Sequence, residues 1–180
     1  MSRRQNYNLP RQAHELTFSC YHHNPFLRTT RTCQWLAESI ANARLELNFK
    51  LWAFVFMPEH VHLLIYPASE TYDIAEIRKA IKAPVARRAI QHLDDNQSPW
   101  LARISRQRGS RSERHFWQSG GGYDRNITES ATLEGVIQYI HFNPVRRGLV
   151  VRPEDWSWSS ASSDPGVILR SDAVPWEEVL

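Results

Sequence analysis

Cysteine is scarce in this sequence, and the little there is forms no motif. Two occur in 180 residues, Cys20 and Cys33, with no Cys-x-x-Cys spacing. That excludes a disulfide scaffold and argues against a thiolate zinc site. No run of about 18 apolar residues exists that would span a membrane. The opening "MSRRQNYNLPRQAHE" is basic but carries no apolar core of the kind a secretion signal needs. A soluble, cytoplasmic protein without a membrane partner is expected. His-Glu-x-x-His is absent, which removes the zinc-peptidase pattern. No internal repeat or low-complexity tract is evident.

What remains is the composition of a folded domain. Apolar residues make up 42% and aromatics 11%, too much for a disordered chain. The length suits one domain with a real core, residues 1–180. The net charge is only +3, with an isoelectric point near 9.1, but arginine dominates the cations, and arginine grips phosphate in bidentate fashion.

Hydrophobic periodicity predicts a strand over 14–23, a helix over 29–47, strands around 49–57 and 60–66, and a helix over 72–93 capped by Asp73. Pro84 should kink or split that helix. The stretch 98–127 reads as irregular, with a short strand around 115–118 and a flexible turn at "SGGGYD". A last helix, 128–144, starts at a Thr128 cap and stops at Pro144. The remainder looks like a wrapped tail. Strand pairs separated by helices predict an α+β, ferredoxin-like fold, an antiparallel sheet covered by helices. One sheet face is expected to be free for functional groups.

"MPEHVHLLIYP" (57–67) places His60 and His62 on one face of a strand, about 6–7 Å apart by strand rise. Val61, Leu63 and Ile65 take the other face. On the last helix, Tyr139 and Asn143 are four residues apart and share one edge of the apolar stripe. If helix and strand meet, two imidazoles, an amide oxygen and a phenol surround one point. Such ligands suit Mg²⁺ or Mn²⁺, and a tyrosine oxygen can attack a phosphodiester. Arg103, Arg106, Arg108, Arg111 and Arg114, with Arg146 and Arg147, would supply a DNA-binding track. Arg78, Arg87 and Arg88 are further members of such a surface, and Trp100, Phe116 and Trp117 offer rings for stacking bases if they face the groove, with burial in the core expected for at least one of them. His141 points away from Tyr139 and stays out of the site. His92, at a helix end, suits the dipole there, and His22 and His23 are either solvated or in contact with phosphate.

"HVHLL" after a Met-Pro-acid corner, followed by "FWQ", "YDRNI", "YIHFNPVRRGLV" and "RPEDWSWSSA", resembles the single-tyrosine HUH transposases. Within them the sequence is most similar to the REP-associated tyrosine transposases, over about residues 14–161. The resemblance implies His60 and His62 as metal ligands, Asn143 as the third, and Tyr139 as the nucleophile. It implies cleavage and rejoining of single-stranded DNA, usually beside a hairpin, through a 5′-phosphotyrosine. The glycines of "SGGGYD", Pro84 and the tail beyond Ala161 depart from the family pattern. An inert, transposase-derived DNA-binding protein is the alternative. A two-histidine phosphodiesterase lacks its His-x-Ser/Thr elements here. Monomer and homodimer are both compatible with the sequence.

Overall fold

A computed structural model describes residues 8–164 and 168–177, apart from the side chains of Arg108 and Arg111. Strands β1 (Ala13–Ser19), β2 (Phe49–Phe56), β3 (His60–Pro67) and β6 (Tyr123–Ile127) form one sheet in the order β2-β3-β1-β6. Every neighbouring pair is antiparallel. With α1 (Thr30–Leu47) and α2 (Ile74–Asp95) between them, the chain follows the β-α-β-β-α-β course of the ferredoxin-like fold. A short helix α3 (Trp100–Ile104) and a hairpin β4–β5 (Ser105–Arg108, Arg111–Arg114) are inserted before the last strand. Helix α4 (Ser130–Arg146) then returns over the sheet.

Each face of the sheet has its own core. Leu16, Phe18, Val61, Leu63 and Ile65 meet α1 and α2, whereas Leu64, Val55, Ala53 and Ile127 meet Leu133, Val136 and Ile140 of α4. Burial on both sides explains why "FKLWAFVF" lacks polar alternation. A bulge between Leu51 and Ala53 turns Trp52 and Ala53 to the same face, beneath α4. The expected free face is therefore largely covered. The tail guards the β2 edge, with Ser160 Oγ accepting from Phe54 N–H at 2.9 Å and the Trp156 indole donating to the Phe56 carbonyl at 2.9 Å.

Three expectations are corrected. Helix α2 runs unbroken through Pro84. The proline deprives the Ala80 carbonyl of its usual partner, and the Ser39 hydroxyl of α1 replaces it, donating to the carbonyls of Ala80 (3.3 Å) and Ile81 (2.8 Å). Helix α4 likewise continues past Pro144, begins at Ser130 after Glu129, and does not use Thr128 as its cap. Its last turn is closed by Arg147 N–H donating to Asn143 O at 3.2 Å. Finally, residues 115–118 contribute only a bridge between Cys20 and Trp117. The true edge strand is "YDRNI", where only Ile127 is fully buried and no apolar alternation marks it. Asp73 does cap α2, accepting from Ala75 N–H at 2.8 Å.

Replacing Ser39 with alanine should cost about 1–3 kcal/mol of stability, because a buried carbonyl loses its donor. Urea denaturation of Ser39→Ala, Pro84→Ala and the double variant should show the Ser39→Ala cost shrinking once the residue at position 84 supplies its own N–H.

Candidate functional site

His60 and His62 open β3 directly after the Met57–Pro58–Glu59 corner, which Met57 N–H closes on the His60 carbonyl at 2.8 Å. Their Nε2 atoms lie 3.1 Å apart. Asn143 of α4 brings its carboxamide to 3.2 Å from His62 Nε2, and the Tyr139 ring meets His62 edge-on at 5.4 Å between centroids. His62 and Asn143 are buried, while Tyr139 keeps 38% of its surface exposed.

The far nitrogens of both rings are committed. His60 Nδ1 faces Glu59 at 3.2 Å and His62 Nδ1 faces the Thr17 hydroxyl at 2.8 Å. A carboxylate only accepts, so Glu59 fixes the proton of His60 on Nδ1 and leaves Nε2 as a lone pair. Without a cation, His62 satisfies that lone pair with its own Nε2 proton and accepts from Thr17 at Nδ1. Because a hydroxyl donates or accepts, one rotation of Thr17 frees both Nε2 atoms as ligands. A six-coordinate Mg²⁺-sized ion sets adjacent ligands about 3 Å apart, and the spacing here fits. Rotating the Asn143 amide presents its oxygen. Among the described residues no three His, Cys, Asp or Glu side chains converge for a metal; the further polar side chain at the pair is the Asn143 amide. The outer partners Thr17 and Glu59 are of the kind that orient metal-bound imidazoles.

Burial favours the neutral form of both imidazoles. Burial, then the neighbouring His60, pushes His62 from 6.5 down to about 3. Burial also lowers His60, opposed by Glu59. Glu59 in turn holds Arg147 at 2.7 Å, and the Arg146 guanidinium lies 5.0 Å from the Tyr139 ring centre. A cleft of about 600 Å³ opens from His62 and Tyr139 along Thr17, Glu15, Tyr123 and Arg125. Arg125 is ion-paired with Glu15 at 2.8 Å.

Of the arginines anticipated as a DNA track, Arg146 and Arg147 come to this site. Arg103 lies over the Trp100 ring and Arg114 pairs with Asp94 at the end of α2. Arg106 is exposed on β4, and the side chains of Arg108 and Arg111 lie outside the described residues. Arg87 is exposed, but Arg78 is buried, donating to the Gly121 carbonyl at 2.9 Å. Arg88 pairs with Glu38. Phe116 and Trp117 are core residues, 2% and 7% exposed, and are not available to stack bases. Trp100 packs edge-on against Phe26. His141 bonds Ser160 at 2.8 Å and fastens the tail. Thr17, Glu59 and Arg125 escaped sequence reasoning. Thr17 could be found only from the pairing of β1 with β3, which sets it opposite His62.

The depressed imidazoles make a pH prediction for the metal-free protein. Between about pH 6.5 and 3 the unfolded chain protonates His62 and the folded chain does not, so stability should fall as pH falls through that window. Urea denaturation between about pH 7.5 and 4.5 should show a shallower loss in His62→Gln than in the wild type.

A family model described as IS200-like transposase matches residues 12–143, from just before β1 to Asn143. No curated protein matches the sequence. Among solved structures, a REP-associated tyrosine transposase bound to a REP hairpin is similar, with a TM-score of 0.70 and 20% identity, over 89% of this chain and 82% of that one. A putative transposase from Deinococcus radiodurans R1 is also similar, with a TM-score of 0.47 and 20% identity, over 78% and 95% of the two chains. The family match takes in well over half of the chain, and the chain belongs to the IS200-like transposase family.

Proposed function

We propose that this protein is a metal-dependent single-strand DNA endonuclease and strand transferase that acts in the cytoplasm through Tyr139. The observation that supports this best is the convergence of two neutral Nε2 atoms 3.1 Å apart with the Asn143 carboxamide, on the flank of a half-exposed tyrosine. His60, His62 and Asn143 would hold Mg²⁺ or Mn²⁺. When bound, the ion polarises the scissile phosphate and offsets negative charge in the transition state.

The chain's own residues carry the rest. The phenol oxygen of Tyr139 attacks the phosphorus and releases its proton to the solvent of the open cleft. The P–O3′ bond breaks, and the leaving oxygen takes up a proton as a free 3′-hydroxyl. The other product is a 5′-phosphotyrosine ester, which a second 3′-hydroxyl can displace to rejoin strands with no external energy source. The attacking and leaving oxygens must be in line. That requirement favours unpaired strands, or strands beside a hairpin, over a stacked duplex. Arg146, over the tyrosine ring, and Arg147, anchored by Glu59, are placed to contact phosphates flanking the bond. The hairpin in the structurally similar REP-associated transposase supports a DNA partner of this type.

Short single-stranded oligonucleotides and Mn²⁺ should yield a covalent adduct on Tyr139, detected by mass spectrometry. Tyr139→Phe should abolish the adduct while binding DNA as before. Equal products from both proteins would overturn the nucleophile, and DNA binding with no adduct from either would favour an inert binder.

Calorimetry should register Mn²⁺ binding to the wild type and none to a His60→Ala, His62→Ala variant. Thr17→Val, which removes only the outer partner of His62, should weaken Mn²⁺ by about 10–100-fold. Unchanged affinity in both variants would remove the metal site.

A further inference from the structure

The glycines of "SGGGYD" are the one motif that the proposed chemistry leaves without a role. Gly122 is explained by packing: its φ is +71, and a Cβ there would stand 2.1 Å from the Thr17 carbonyl oxygen, against β1. Gly120, with φ +95, faces open space. Gly121 lies against Arg78, whose guanidinium a Cβ would approach to 3.1 Å. Gly120 and Gly121 line a cavity of about 430 Å³ on the α2 side of the sheet, together with Arg78, Lys79, Lys82 and Trp117.

The charge in this cavity is of one sign. Arg78 is tied to the loop through the Gly121 carbonyl and lies 3.8 Å from Asp124. Lys79 is exposed at the rim, one helical turn from Lys82. Lys82 is half-buried, with its ammonium 5.4 Å from the centre of the Phe18 ring. Among the described residues no carboxylate pairs with Lys79 or Lys82, and no hydrogen bond uses the N–H of Gly120 or Gly121. A partly desolvated ammonium without a counter-ion is unfavourable, and burial together with Arg78 weakens its hold on the proton. Bare amides in a turn of alternating handedness are the elements of an anion-binding nest. Gly120 and Gly121 line the cavity without side chains of their own, beside the Arg78 guanidinium.

We propose that this cavity binds a backbone phosphate of the DNA substrate, held by Lys79, Lys82 and the amides of Gly120 and Gly121, on the opposite face of the sheet from Tyr139. Edge strand β6 joins the two places. Tyr123, at its start, lines the cleft of His62 and Tyr139, and the loop just before it lines the phosphate cavity. A strand leaving the cleft over this edge meets the loop next. The inference rests on the DNA-processing reading above and adds a positioning contact away from the bond that is cut.

The test compares the wild type with a Lys79→Gln, Lys82→Met variant, which keeps most of the buried aliphatic bulk. Fluorescence anisotropy with a hairpin oligonucleotide carrying single-stranded flanks is followed over a salt series, with divalent ions chelated to prevent cleavage. The expected result is several-fold weaker binding and a log–log salt slope shallower by about 0.7 for each single-strand phosphate that the variant no longer neutralises. Lys50→Gln, on the opposite edge strand, should leave the slope unchanged. Thermal melting and Mn²⁺ binding that match the wild type would show that the fold and the metal ligands are intact. Equal slopes in the wild type and the double variant would overturn the proposal, even if inorganic phosphate alone binds the cavity. A slope change of the same size in Lys50→Gln would overturn it too, as general electrostatics. Failure of the wild type to bind DNA in a salt-dependent way would instead remove the parent reading together with this one.

Discussion

Burying two imidazoles side by side demands that neither be charged and that each have a partner for its outer nitrogen. The sheet meets both demands. Antiparallel pairing sets Thr17 of β1 directly opposite His62, and the tight corner before β3 leaves Glu59 adjacent to His60. Once Glu59 accepts from His60 Nδ1–H and the Thr17 hydroxyl accepts from His62 Nδ1–H, two nitrogen lone pairs are left to converge with the amide that α4 supplies. Three features meet there: the low pKa of His62, set first by burial and then by His60, the Asn143 carboxamide carried by α4, and the half-exposed Tyr139 beside them.

Helix α4 is the second half of the arrangement. Its apolar stripe of Leu133, Val136 and Ile140 seats it on Leu64 and Val55. This core packing, made by residues with no chemical role, sets the height of Tyr139 and Asn143 above the histidines. Continuing the helix through Pro144 matters for the same reason. Were it to end at the proline, Asn143 would sit at a fraying terminus. Instead its carbonyl accepts from Arg147 N–H and its side chain is held on a formed turn.

Much of this was legible in the sequence. The face shared by His60 and His62 follows from strand alternation, and the common edge of Tyr139 and Asn143 follows from helical spacing. The fold followed from the order of apolar runs. What could not be read was whatever depends on partners distant in the chain. Pro84 looks like a break until Ser39, far earlier on another helix, is seen to bond the carbonyl it orphans. Strand β6 looks like a loop because it is a polar edge, with Arg125 answered by Glu15 of β1. Phe116 and Trp117 look like stacking rings beside an arginine run, yet they fill the core between the sheet and α2, where the Trp117 indole donates to the Lys82 carbonyl at 2.9 Å. An aromatic next to arginines has the same local signature in either setting, and only the tertiary fold separates them.

The division of labour between sheet and helix has a mechanical consequence. The two histidines belong to a strand paired on both sides, by β1 and β2, and cannot shift without breaking ladder hydrogen bonds. Tyr139 and Asn143 share one helix, so any tilt of α4 moves phenol and amide together and preserves their mutual spacing. Misplacement of a reacting group by about 1 Å is enough to cost orders of magnitude in rate. Drawing the amide and the phenol from one rigid element, and both imidazoles from another, reduces the alignment problem to a single variable: the seating of α4 on the sheet.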